Sequence, residues 1–258
     1  MTWDLPPKIW LPPKPAIVQP APVQKANFLP GMFPGLMMAA GGGDTTDFPS
    51  VLTTNQGGTT GFTASTTFAV PLPADIEAGD ELLIFVAVQN NTGATTVSTP
   101  SGWTELFNVV GGGNMRRFAV FTRTADGGEG STVNVTASAS SQWGTSSYRL
   151  SGVSGFEAAT ATGNSATADP PNLSPLGGAS KILWLAAFSA ANLAGTTAPT
   201  PPTDYTDQLV HTHDTFGQAV VQHASARREL EAASENPGTF ALNGGSGQWI
   251  GVTVAIIP

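Results

Sequence analysis

Seven stretches of this chain alternate apolar and polar residues with a period of two, the spacing of β-strands, whose successive side chains point to opposite faces. They are TTFAV (66–70), ELLIFVAV (81–88), RFAVFTRT (117–124), STVNVTASA (131–139), KILWLAAF (181–188), FGQAVVQHAS (216–225) and QWIGVTVAII (248–257). Gly, Pro and Asn punctuate them, as in an all-β sandwich. LLIFVAV and WIGVTVAII are apolar on both faces, so each has to be covered from two sides.

The strands also recur. ELLIFVA from Glu81 matches KILWLAA from Lys181 at an offset of 100, and PSGWTEL from Pro100 matches PTDYTDQL from Pro202 at 102. AVFTRTA from Ala119 parallels AVVQHAS from Ala219 at 100, and Gln142-Trp143 parallels Gln248-Trp249 at 106. The order is kept, which implies two equivalent units, 62–155 and 162–258. Each could be an independent immunoglobulin-like sandwich, or the two could be halves of one larger jelly-roll-like sandwich. The strands that are apolar on both faces favour the single sandwich.

Composition narrows the class further. With 258 residues the chain can bury a sizeable core. Only 11% of its residues are charged, against 30 Gly and 21 Pro, so helices are expected to be few. A net charge of −8 disfavours nucleic acid as a partner, because neutralising phosphates takes clustered Lys and Arg. The absence of cysteine excludes disulfides, thiolate catalysis and Cys-ligated metals. No unbroken apolar run reaches the roughly 18 residues of a membrane helix, so no membrane insertion is expected. FLPGMFPGLMMAAGGG is interrupted by Pro30, Gly31, Pro34 and Gly35, and no export signal is read at the start of the chain.

Residues 1–43 differ in kind from the rest of the chain. Nine of the 21 prolines lie there, and the segment carries +2 from Lys8, Lys14 and Lys25 against Asp4, leaving −10 for the remainder. Prolines fix φ, remove a donor and bias their predecessors away from helix, so an extended, largely polyproline II arm is expected. At about 3.1 Å per residue it could span roughly 130 Å. Residues 44–61 are read as a hinge and entry segment, and 62–258 as the sandwich body.

Ordering some forty residues costs on the order of 1–2 kcal/mol each. Burying Trp3, Trp10, Phe28 and Phe33 would return only roughly 1.5–3 kcal/mol apiece. The arm therefore lacks enough anchors to be fixed on its own body and calls for a groove supplied by partners. DLPPKIW and WLPPKPAIV place large apolar side chains beside each Pro-Pro, as successive docking plugs would. The candidate partner-binding residues are Trp3, Leu5, Ile9, Trp10, Leu11, Ile17, Val18, Phe28 and Phe33. A plain linker, or a ligand for PxxP-reading domains, is the alternative.

Catalytic constellations are sparse. The chain has three histidines, His211, His213 and His223. In HTHD, His211 and His213 would face one side of a strand, with Asp214 close by, and could hold a metal. A solvated strand end is the preferred reading, and no metal or cofactor is assigned. No nucleophile elbow accompanies these histidines. The carboxylates of ADIEAGDE (74–81), DGGE (126–129) and ELEAASE (229–235) could serve a glycosidase but read as solvated loop charges. Trp103, Trp143, Tyr205 and Trp249 could line a sugar platform, yet their places in the repeat mark them as core.

The proline-rich arm, the glycine hinge and a Ser/Thr/Gly-rich body bearing AGDELLIFVAV, PSGWTEL, FAVFTRTA and a closing WIGVTVAIIP together resemble virion structural proteins of tailed bacteriophages, of the head-decoration, collar or tail-fibre kind. The resemblance implies a non-enzymatic component of the virion, assembled in the host cytoplasm. Its arm would dock on other virion proteins and its sandwich would project outward, as a homo-oligomer such as a trimer, in reach of a host-surface glycan. A carbohydrate-binding adhesin is the second reading and a glycan-cleaving enzyme the third.

Overall fold

The computed structural model describes residues 47–59, 64–90, 94–111, 116–192, 198–212, 220–242 and 245–258. The first repeat begins before residue 62, because the segment read as hinge and entry holds an edge strand of its sheet; it supplies β1 (Ser50–Gly58), β2 (Ser65–Pro71), β3 (Glu81–Gln89), β4 (Val97–Ser98), β5 (Thr104–Gly111), β6 (Arg116–Thr124) and β7 (Thr132–Ser151). The second begins at residue 155 rather than 162 and supplies β8 (Gly155–Ser165), β9 (Thr167–Ala168), β10 (Ser180–Asn192), β11 (Thr206–Thr212), β12 (Val220–Ala232), β13 (Phe240–Ala241) and β14 (Gly247–Ile257). There is no helix among the described residues, and every strand pairing is antiparallel.

The duplication is written in the strand order. The first sheet runs β1-β7-β3-β6-β5 and the second β8-β14-β10-β12-β11, the same sequence of equivalent strands. Outside the first sheet, β2 and β4 pair with the leading half of β7. In the second repeat β9 pairs with β13, and Thr200 bridges Ala241 in the place of β4. Even a turn is repeated. The Trp103 amide donates to the Pro100 carbonyl (3.1 Å) and the Tyr205 amide to that of Pro202 (3.2 Å). The third residue of each turn is left-handed, Gly102 at φ 78° and Asp204 at 66°, a position that glycine takes freely and aspartate tolerates.

Two of the sequence matches are out of register. Val86 pairs with Ala119 and Ala186 with Ala226, so Ala226 rather than Ala219 is the equivalent of Ala119. The β11–β12 connection is longer than the β5–β6 connection, and the shared Ala-Val pair hid that insertion. Trp143 pairs with Val88, whereas the equivalent Phe188 pairs with Gly251. Trp249 thus sits two residues away from the place of Trp143, though on the same face.

Each repeat forms one sheet, and the two sheets share a core. Leu83, Phe85 and Ala87 of β3 and Phe118 and Val120 of β6 meet Leu183, Leu185 and Ala187 of β10 and Ile250, Val252 and Val254 of β14. The opposite faces are covered as well. Leu82, Ile84, Val86 and Val88 pack under Phe68, Val70 and Val97, and Ile182, Trp184, Ala186 and Phe188 pack under Ala168, Phe240 and Tyr205. That double covering is why β3 from Leu82 to Val88 and β10 from Ile182 to Phe188 are apolar at every position. The result is one sandwich with a flap on each outer face.

Close approaches set some of the glycines. Gly163 of β8 pairs with Trp249, and a Cβ built on Gly163 would lie 2.2 Å from the indole. The indole Nε1 donates to the Ser165 hydroxyl at 2.9 Å, which fixes the ring over the strand. Gly163→Ala therefore overpacks a rigid ring, and chemical denaturation should register a loss of about 1–3 kcal/mol. An unchanged midpoint would mean that the indole has another place to go.

Candidate functional site

The nine candidate partner-binding residues, Trp3, Leu5, Ile9, Trp10, Leu11, Ile17, Val18, Phe28 and Phe33, lie outside the described residues. So do His213 and Asp214 of the HTHD stretch. His211 is at the end of β11, half-buried, its imidazole lying over Gly58 and Gly144, a directly paired glycine couple of β1 and β7. Among the described residues no group of His, Asp and Glu is placed to hold a metal ion.

The sharpest polar constellation lies elsewhere, between the sheets. The inward positions of β7 carry Ser146 and Tyr148, and those of β12 carry His223 and Ser225, each pair two residues apart and so on one face. The His223 Nδ1 is 2.8 Å from the Phe188 carbonyl oxygen, and its Nε2 is 2.8 Å from the Ser146 Oγ. The Ser146 Oγ is 2.8 Å from the Ser225 Oγ, which is 2.6 Å from the Tyr148 hydroxyl. All four side chains are at most 1% exposed.

The direction of this chain is forced from one end. A carbonyl only accepts, so His223 donates from Nδ1 and its Nε2 accepts from Ser146. Ser146 then accepts from Ser225, and Ser225 from Tyr148. Every hydroxyl proton and both ring nitrogens are used, the condition for burying such groups without large cost. Burial pushes the His223 pKa down to about 3, outweighing the Phe188 carbonyl, and raises that of Tyr148. The imidazole is neutral. Ser146 and His223 have the spacing of a nucleophile and its base, but Phe85 and Phe118 close over the imidazole, with ring centroids 6.0 and 5.5 Å away. In the folded sandwich this arrangement acts as a joint between sheets.

One end of the interior is also polar. Gln142, Gln89 and Arg116 stand side by side across β7, β3 and β6. Arg116 is 7% exposed and donates from Nη1 to the Gln248 Oε1 of the other sheet at 2.7 Å. Burial lowers its pKa, and no carboxylate among the described residues pairs with it.

Several carboxylates read as solvated loop charges are covered and paired instead. Asp80 accepts from the Arg149 guanidinium and from the Glu77 amide. Glu129 takes Arg123 at 2.9 Å together with the amides of Asp126 and Gly127. Glu235, 7% exposed, meets Arg228 at 3.1 Å and the Tyr205 hydroxyl at 3.4 Å. These groups pin loops to strands. Trp103, Tyr205 and Trp249 are 8%, 5% and 7% exposed, and Trp143 stacks on Phe68 at 5.4 Å. The described clefts are open and small, about 210 Å³ beside Arg123 and Phe156 and about 360 Å³ beside Asp207 and Arg227.

No family model, curated protein or solved structure matches the chain.

Proposed function

We propose that this chain is a non-enzymatic structural component of a tailed-phage particle, its residues 1–43 docking on other particle subunits and its duplicated sandwich displayed at the surface. What supports the reading is a division of labour between arm and body. The chain divides after Gly41, and the unit Gly42–Pro258 contains all three buried cores, whose members run from Val51 to Ile256. The body closes its own apolar faces. The arm brings nine prolines, two tryptophans and a charge opposite to that of the body, a composition suited to lying extended in a groove.

A glycan-binding module has less behind it. Stacking platforms need exposed rings, and among the described residues Trp103, Tyr205 and Trp249 are buried and Trp143 packs against the core. The docking reading is tested by transplanting the arm. Residues 1–43 fused to an unrelated folded carrier should bring that carrier into particles of the phage whose genome encodes the chain, as counted by mass spectrometry. A carrier left wholly in the unassembled fraction would argue against docking by the arm.

A further inference from the structure

We infer that the Tyr148–Ser225–Ser146–His223 chain is an acid-sensitive latch that joins the two halves of the duplicated sandwich and loosens them when His223 is protonated. The chain crosses between the sheets at each of its first three links, from Tyr148 on β7 to Ser225 on β12, back to Ser146 and over again to His223. Its terminus is the Phe188 carbonyl of β10. No other run of described hydrogen bonds threads the shared core in this way.

Protonation reverses the last link. With Nδ1 committed to the carbonyl, a proton arriving at Nε2 turns that nitrogen from acceptor to donor, so Ser146 must accept where it had donated. Only the Ser146–Ser225 and Ser225–Tyr148 links then remain for three hydroxyl protons, so one of those protons is left without an acceptor in the chain, and a cation now sits in an apolar interior. Both changes are costly, the orphaned donor and far more the buried charge. The faces of Phe85 and Phe118 return only part of this.

Beyond the Phe188 carbonyl and the two aromatic faces, no described carboxylate is placed to stabilise the imidazolium. On β12 its inward neighbours are Val221 and Ser225. Its register partners are His211 on β11 and Ser189 on β10. Sheet one presents Ser146, Tyr148, Phe85 and Phe118. The titratable groups among these are His211, whose charge opposes a second cation, and Tyr148, a neutral donor. Asp207 and Arg227 act on Tyr148 from the rim as an ion pair at 2.7 Å.

The sign follows from the folded form binding its proton less readily than the unfolded chain, whose histidines titrate near 6.5. Stability from this group is complete above that value and is lost as pH falls toward about 3. Each pH unit inside the window raises the unfolding constant close to tenfold, so the step from pH 7 to pH 4.5 is worth about a hundredfold.

The test is urea unfolding of the full chain between pH 7.5 and 4.5, for the parent, His223→Gln and His211→Gln. Glutamine can accept from Ser146 and cannot titrate. His223→Gln should lose about a hundredfold of the parent's acid response, while His211→Gln, which removes only the smallest of the effects on His223, keeps most of it. A parent-like response in His223→Gln would overturn the latch. Should that variant fail to fold, the parent labelled at its histidine rings settles the matter by NMR. One imidazole is expected to stay neutral, with Nδ1 protonated, down to pH 5, whereas three rings titrating near 6.5 would contradict the proposal.

Discussion

Phe85→Ala should lower the unfolding free energy by about 3–5 kcal/mol and should do so for both repeats together. The side chain is fully buried at the centre of the shared core. Its ring lies 5.8 Å from that of Phe118, 6.1 Å from Tyr148 and 6.0 Å from His223. Little can relax into the space, because these neighbours are held by other strands and by the polar chain beside them. A domain of ordinary stability, about 5–15 kcal/mol, loses a large fraction of it. The discriminating readout is a pair of single-tryptophan variants, one keeping Trp103 in the outer layer of the first sheet and one keeping Trp184 in that of the second. Their urea midpoints should fall together in Phe85→Ala. A fall confined to the Trp103 probe would mean two sandwiches that unfold separately.

Arg149→Ala is expected to be nearly as damaging, by about 3–5 kcal/mol, since it leaves a carboxylate in a covered site without its counter-ion. The Arg149 and Asp80 side chains are each 10% exposed. Asp80 also receives the Glu77 amide at 2.7 Å, while its carbonyl accepts from the Ala125 amide at 2.8 Å and holds the β3 and β6 ends together. The pair therefore ties the turn before β3 to β7. Removing both charges at once is the informative control: Arg149→Met with Asp80→Asn keeps an acceptor for Glu77 and strands no ion. The double variant should recover much of the loss. Additive losses in denaturant titrations would instead show that the two residues act independently.

Legibility in the sequence tracks the physics of burial. Over their described residues, the seven alternating stretches fall on strands whose faces differ, or that are buried on both faces, such as β3, β6, β10 and β14. The long strands left unread, β1, β5, β8 and β11, are the four edges of the two sheets. SVLTTNQGG and GFEAATATGNS carry small polar residues on both faces and have no buried position, so little contrast marks their period. The second half of β7 was hidden for a different reason. Its inward positions hold Gln142, Gly144 and Ser146, polar or small residues where the pattern calls for apolar ones.

The same masking hid the latch. QHAS and SSY each place two polar residues on one face of a buried strand, which is the only local signal of the His223–Ser146 joint. Only the pairing of the sheets reveals that they meet. HTHD draws attention to His211 instead, and what His211 meets is set by Gly58 and Gly144, which carry no signal of that contact in the sequence. The pairing of Asp80, Glu129 and Glu235 was equally out of reach, because their arginine partners Arg149, Arg123 and Arg228 are recognisable only once the strands are aligned.

The central claim is that the body is complete without residues 1–43 and that those residues act on other subunits. It is tested most directly by deleting them and measuring two quantities on the same preparation, the urea midpoint of the purified protein and its copy number in purified particles. The account predicts an unchanged midpoint and a copy number reduced to background. A lowered midpoint, or a truncated chain present in particles at the level of the full one, would contradict it.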